Sequence, residues 1–211
     1  MTFPDKTYNI ADFGAVADGR MPCKGAFDKA ITQCSDQGGG RIIVPAGTYY
    51  MNGPLVFKSN VNIHLEDGAI LNFSSNQEDY LPAVITRWEG TELFNYSPLI
   101  HAYHVQNIAL TGKGTINGNG SKKFSAWADN QNIDKEILRR MGRENLPIYR
   151  RIFGEGFRLR PGFIEPYGCV NVRIEGITIK DSPFWVIHPI FCNNVIVRDV
   201  TVDSHNRNND G

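Results

Sequence analysis

The sequence predicts an all-β chain wound as a parallel β-helix, with a helix at its N-terminal end and a helical insertion. Three observations predict it: a repeat of fixed period, β-branched alternation inside each repeat, and turns rich in glycine and asparagine. Cys169-Val170-Asn171-Val172-Arg173-Ile174-Glu175-Gly176-Ile177-Thr178-Ile179 aligns with Cys192-Asn193-Asn194-Val195-Ile196-Val197-Arg198-Asp199-Val200-Thr201-Val202 at an offset of 23 residues throughout. Weaker copies begin at Asn107 and Asn62. A period in the twenties built of short strands marks a solenoid. Leucine-rich repeats share the period but need leucines at fixed spacing and a helix per repeat, and neither is present. In a parallel β-helix the inward residues of successive coils stack. Asn171 and Asn194 then form an Asn ladder at a turn, and Cys169 and Cys192 stand about 4.8 Å apart as a stacked thiol pair rather than a disulfide.

The elements follow in order. Phe27, Ala30, Ile31 and Cys34 fall at i, i+3, i+4, i+7, which predicts a helix over 24–37, stopped by Gly38-Gly39-Gly40. A short strand follows at Arg41–Pro45, Ala46–Tyr50 turns into the next, and Leu55–Phe57 and Val61–Leu65 come after. The early helix has an apolar face to plug the N-terminal end of the solenoid. Two segments interrupt the repeat, 74–100 and 120–163. The second carries a helical pattern with Ile133, Ile137, Leu138 and Met141 on one face. The reading is therefore a single domain: 1–60 as cap and first coils, two insertions, and regular coils over 164–211. The last residues read as a turn, with nothing to cover the C-terminal end. The chain reads as cut in mid-coil, and self-association through that end is expected.

Composition excludes several classes of function. Lys+Arg and Asp+Glu both number 22, so the net charge is zero, which argues against a nucleic-acid coat. No apolar run approaches the ~18 residues of a membrane span. Met1–Lys6 lacks the basic and apolar regions of a signal peptide, which leaves a cytoplasmic chain or a mature form with its signal removed. Four cysteines in 211 residues do not make a disulfide scaffold and read as buried thiols. The absence of CxxC and HExxH predicts no metal and no cofactor. Gly112-Lys113-Gly114-Thr115-Ile116-Asn117-Gly118 fails the spacing of a phosphate loop and reads as turn glycines.

Four places have residues suited to chemistry. Between Lys135 and Arg160 eight basic residues face three acidic ones, a local field for an anion inside a neutral chain. Arg158 and Arg160, at i, i+2 on an extended segment, share a face and pair well with carboxylates. Ser182-Pro183-Phe184-Trp185-Val186-Ile187-His188-Pro189 offers the flat face of Trp185 to a sugar ring and His188 as a hydrogen-bond donor. Asp210, in Asn208-Asn209-Asp210-Gly211, stands at the end of a coil.

Together these pieces resemble the N-terminal half of a glycoside hydrolase family 28 enzyme, the polygalacturonase family. They include Asp12-Phe13-Gly14-Ala15, Gly38 to Tyr49, Gly112 to Gly120, Ser182-Pro183-Phe184-Trp185, His188-Pro189 and Asn208-Asn209-Asp210-Gly211. The resemblance implies a pectate-lyase-like, right-handed parallel β-helix acting on galacturonate-containing polysaccharide. It implies inverting hydrolysis of α-galacturonide bonds, with two carboxyls roughly 6.5–9.5 Å apart. Asp210 and Asn208 then match the family's Asn-x-Asp motif and activate and orient the water; Asn209 departs from the usual Thr. The later Asp-Asp, Gly-His-Gly and Arg-x-Lys motifs have no counterpart, so the general acid is absent and the fragment alone is expected to be inactive. The resemblance also implies a secreted or periplasmic protein. Arg87-Trp88-Glu89-Gly90 and Asn95 to Ile100 resemble insertions of exo-acting bacterial members, which makes Trp88 and Glu89 candidate substrate contacts at a walled cleft end. Two other readings stand beside the hydrolase: a pectin lyase on the same fold, and a non-catalytic polysaccharide-binding β-helix.

Overall fold

The structure, a computed structural model, describes residues 2–205. Its elements are β1 (Thr7–Asn9), β2 (Asp18–Pro22), α1 (Lys24–Asp36), β3 (Gly40–Val44), β4 (Gly47–Met51), β5 (Leu55–Val56), β6 (Val61–Leu65) and β7 (Ala69–Phe73). Then come β8 (Val84–Trp88), β9 (Thr91–Asn95), β10 (Ile100–Tyr103), β11 (Gln106–Gly112), β12 (Thr115–Asn117), α2 (Trp127–Asn130) and α3 (Asn132–Arg143). The last are β13 (Ile152–Phe153), β14 (Ile164–Tyr167), β15 (Val170–Glu175), β16 (Thr178–Lys180), β17 (Asn193–Arg198) and β18 (Thr201–Asp203).

The strands wind as a parallel β-helix. One six-stranded sheet runs β1-β3-β6-β11-β15-β17, a second β18-β16-β12-β7-β4-β2, and a three-stranded sheet β14-β10-β5 forms the third side. Register explains the β-branched alternation. Ile42, Ile63, Leu110 and Ile174 pair coil upon coil on one side of the core. Tyr49, Leu71, Ile116 and Ile179 do the same on the other. Each buried aliphatic contributes roughly 1.5–3 kcal/mol, and stacking like on like fills most of the tube.

Helix α1 buries Ala26, Phe27, Ala30, Ile31 and Cys34 against the first coils, the stripe read from the sequence. Its chain leaves through Gly39 at φ 104°, whose N–H donates to Cys34 O at 2.8 Å. The Asn ladder is present: Asn194 donates to Asn171 at 2.6 Å, Asn171 to Asn107 at 2.8 Å, and Asn107 to Asn60 at 2.9 Å. The first copy of the repeat is thus framed on Asn60, not Asn62, which pairs with Ala109 two positions on. The backbone explains it: Asn60, Asn107, Asn171 and Asn194 share left-handed φ of 54–65°, a turn conformation that Asn tolerates. All four cysteines are free thiols, three buried and Cys192 half-buried.

The glycines after β11 are turn glycines set by close approach. A Cβ on Gly112 would stand 1.9 Å from Leu65 O, and one on Gly120 2.3 Å from Ser182 O. The segment 74–100 carries the β8–β9 hairpin, joined by β13 in a small outer sheet. The segment 120–163 carries α2 and α3. On α3, Leu138 is buried, with Ile137 and Met141 packed beside it against Trp88, Leu93 and Phe153. Ile133 is 74% exposed, so the predicted apolar face is narrower than the sequence suggests. Asp134 takes the inward place instead, accepting from Arg158 N at 2.7 Å.

Candidate active site

The loop from Asp181 to Phe191 is itself a coil of the three-stranded sheet. Ile187 bridges to Ile164 and Ile190 to Tyr167, both in parallel. Ile100, Ala102 and Ile164 point into the core, so by the two-residue period the outer face carries His101, Tyr103, Glu165 and Tyr167. Glu165 is the centre of this face. Its carboxylate, 2% exposed, lies 3.0 Å from His188 Nδ1 and accepts a hydrogen bond from the Thr86 hydroxyl on β8. Burial raises the Glu165 pKa, and His188 and the Arg87 backbone N–H oppose that rise. With Glu165 accepting, His188 carries its proton on Nδ1 and leaves Nε2 for another partner. His101 is the register partner of Glu165, and burial pulls its pKa down to about 4.

Trp185 and His188 are brought together, with ring centroids 4.6 Å apart and planes at 85°. Trp185 does not present two open faces. Phe184 stacks on it at 5.2 Å and 8°, and Trp88 stacks on Phe184 in turn at 5.0 Å and 6°. Trp88 is buried, and its indole N–H donates to Arg160 O at 3.2 Å. It is therefore the inner plate of an aromatic stack rather than an open sugar contact. Arg158 and Arg160 do not share a face: Arg158 is exposed and Arg160 fully buried. The two-residue alternation is broken here: Leu159 is drawn into the cluster with Trp88 and Phe184, and Arg160 beside it is buried as well. Arg160 donates to Gln131 Oε1 and Pro183 O, both at 3.1 Å, and lies 4.8 Å over the Phe184 ring. Desolvation lowers its pKa to about 10. It anchors the 182–185 loop to the insertion. Glu89, at the hairpin tip with φ 41°, is ion-paired to Lys135 at 2.8 Å and Arg139 at 3.1 Å on α3. Part of the basic surplus of the insertion is thereby spent inside the protein. Asn208 and Asp210 lie outside the described residues. Among the described residues, no cluster of three or more His, Cys, Asp or Glu stands ready for a metal.

The profile of the glycosyl hydrolases family 28 matches residues 34–211. The chain belongs to that family. Among solved structures, this family 28 chain is similar to an exopolygalacturonase from Thermotoga maritima, at 40% identity and a TM-score of 0.95, over all of this chain and 49% of that one. The family 28 exopolygalacturonase of Yersinia enterocolitica follows at 27% identity and a TM-score of 0.71, over 98% of this chain and 40% of that one. Among curated proteins, an exo-poly-alpha-D-galacturonosidase of Dickeya chrysanthemi is 27% identical over 97% of this chain and 37% of its own length. The family 28 chain spans half the length of these relatives or less. The lyase reading finds no support, since the family is one of hydrolases.

Sequence reasoning missed Glu165, Thr86 and His101. A signal for Glu165 was present. The offset of 23 that aligns Cys169 with Cys192 also aligns Glu165 with His188. Thr86 and His101 carry no such signal, because a hairpin's landing place on a sheet is not written in its local pattern.

Proposed function

We propose that this chain is part of a glycoside hydrolase that cleaves α-galacturonide linkages in pectin-type polysaccharide, with inversion. The observation that carries the reading is the family 28 match over residues 34–211, which includes Asn208 and Asp210. Inversion needs one carboxylate to activate water and one acid to protonate the leaving oxygen. Asp210 is assigned to the water and Asn208 to its orientation. The general acid is not assigned to any described residue: Glu165, the most buried carboxylate, is held between Thr86 and His188. Trp185 and His188 supply the sugar contacts. His188 Nε2, which bears no proton when Nδ1 faces Glu165, accepts from a sugar hydroxyl, and the exposed guanidinium of Arg158 pairs with a substrate carboxylate. Trp88, Glu89 and Arg160 act indirectly, by fixing the hairpin and the 182–185 loop. The hairpin–α3 assembly walls one end of the cleft, which favours release of single sugars. Action on an extracellular polymer places the protein outside the cytoplasm.

The test is reducing-sugar release from polygalacturonate by the 211-residue chain and by the protein extended to the end of its reading frame. Release by the extended form alone is expected, together with a loss of about 10²–10⁴-fold on Asp210→Asn. Release by the short chain would move the catalytic carboxylates into the described residues. Oligomeric rather than monomeric products would refute the walled cleft. Galacturonan binding without turnover by the extended form would favour the binding-module reading.

A further inference from the structure

The turn between the three-stranded sheet and the first six-stranded sheet carries one core-packed side chain per coil. After β10 that residue is Val105, and in the next two coils it is Cys169 and Cys192. Strand register fixes their placement. Gln106 pairs with Val170 and Val170 with Asn193, so the residues just before them, Val105, Cys169 and Cys192, lie one above another. Val170 N donates to Val105 O at 3.1 Å, and Asn193 N to Cys169 O at 2.9 Å, which ties the three turns together. Neighbouring coils stand about 4.8 Å apart, inside the Cα separation that a disulfide spans.

The two thiols are alike in conformation and unequal in surroundings. Each donates to the carbonyl two residues earlier, Cys169 Sγ to Tyr167 O at 3.4 Å and Cys192 Sγ to Ile190 O at 3.3 Å. Cys192 Sγ also reaches Pro166 O at 3.2 Å, so its side chain already leans over the coil that holds Cys169. Cys169 is fully buried, whereas Cys192 is half-buried. The Cys169 thiol beside it and nearby backbone N–H groups pull the Cys192 pKa down. The same neighbour, together with burial, pushes the Cys169 thiol up. Cys192 is thus suited to attack from the solvent side, and Cys169 to resolve from the core side. Packing alone does not call for this pair, since Val105 fills the same place one coil earlier without a thiol.

We propose that Cys192 and Cys169 form a thiol-exchange site at which a low-molecular-weight disulfide cross-links the two coils reversibly. The Cys192 thiolate attacks one sulfur of the small disulfide. That S–S bond breaks, and one small thiolate leaves and takes up the proton that Cys192 had released. Cys169 then gives up its proton, and its sulfur attacks the Cys192 sulfur. The inter-coil S–S bond forms, and the second small thiol leaves with that proton. Both protein thiols are oxidised, and one small disulfide is reduced to a pair of thiols. Parallel side-chain vectors strain the new bond and favour its reduction, so it opens again when small thiols are in excess. When closed, it fastens the coil of Trp185 and His188 to the coil before it, beyond the bridges of Ile187 and Ile190.

The experiment treats the protein, extended to the end of its reading frame, with 2-hydroxyethyl disulfide under native conditions. Free thiols are then blocked with N-ethylmaleimide, and tryptic peptides are mapped by mass spectrometry without reduction. An early adduct of one small thiol is expected on peptide 181–198, which contains Cys192. It should give way to a linked species of peptides 181–198 and 159–173, which excess dithiothreitol separates. The linked protein should melt roughly 5 °C higher, and dithiothreitol should reverse the shift. Cys169→Val, with the side chain found one coil earlier, should stop the reaction at the adduct and slow its formation about tenfold. Cys169→Ser provides the same reading should Cys169→Val lower the melting temperature. Cys192→Ser should leave Cys169 unreacted. Recovery of both peptides blocked by maleimide, or each with its own small-thiol adduct, overturns the proposal. So does a bond from Cys192 to a second copy of the chain or to Cys23 or Cys34. An unchanged melting temperature in the linked protein overturns the fastening role. None of these readings depends on hydrolysis, so the function proposed above stands or falls separately.

Discussion

At the scale of single residues, the outer face of the three-stranded sheet has a buried histidine beside a buried carboxylate. His101 is 6% exposed, and burial holds its pKa at about 4, against 6.5 when unfolded. The unfolded chain therefore binds a proton here that the folded chain refuses. The stability contributed is present above about pH 6.5 and is lost as pH falls toward 4, with about 3 kcal/mol at stake. Glu165, raised by its burial, works in the opposite sense at the lower end of that window. The His101 contribution is thus read as the difference between the parent and His101→Gln in urea midpoints from pH 7 to 4. A flatter pH dependence is expected in the variant, and parallel curves would contradict it. Gly112 gives a second, sharper case. Its φ of 113° and the 1.9 Å approach of Leu65 O leave no room for a methyl group. Gly112→Ala should cost more than about 3 kcal/mol in chemical denaturation. Gly90, at φ 91° with nothing near its absent Cβ, should cost about 1 kcal/mol on the same change.

At the scale of elements, the insertions are fastened to each other and to the coils by a few polar contacts. Glu89 joins the hairpin to Lys135 and Arg139 of α3, and Asp134 of α3 joins Arg158. Glu89→Gln should lower stability by about 1 kcal/mol, an effect that salt diminishes. Faster proteolysis within 120–163 should accompany it; an unchanged cleavage rate would mean that apolar packing of Leu138 alone seats the helix. The coils are fastened differently. Each Asn of the ladder satisfies the next and tolerates a left-handed turn. Asn171→Ala loses both properties and should lower the melting temperature by the equivalent of about 1–3 kcal/mol, with Asn171→Gly recovering the backbone share of that loss. The ladder was legible from the repeat, but its first rung was not. The pattern Asn-Ile-x-Leu at Asn62 imitates the one at Asn107, and only strand register shows that Asn60 holds the equivalent turn.

At the scale of the whole molecule, the last coil among the described residues has exposed apolar side chains. Strands β17 and β18 end both six-stranded sheets, and Ile196, Val197 and Val202 lie exposed on them. A parallel strand with no neighbour on one side is a template for another chain. The 211-residue chain expressed by itself should self-associate, with an apparent mass by light scattering that rises with concentration. A monomer at every concentration would show that the edge is shielded.

By itself, the sequence determined the architecture. A period of 23 with β-branched alternation admits a parallel β-helix, since only stacked coils bury such a stripe on every turn. It also determined α1, whose apolar stripe at helical spacing is the one found buried, and the placement of Trp185 and His188 in one loop. Tertiary structure decided which candidate side chains face outward. Arg158 and Arg160 look alike in sequence, yet the insertion folds over one of them and leaves the other in water. Trp88 became the inner plate of a stack for the same reason. Solenoid coils repeat, so neighbouring residues dictate their positions. Insertions do not repeat, and where they land depends on contacts tens of residues away, such as Thr86 with Glu165.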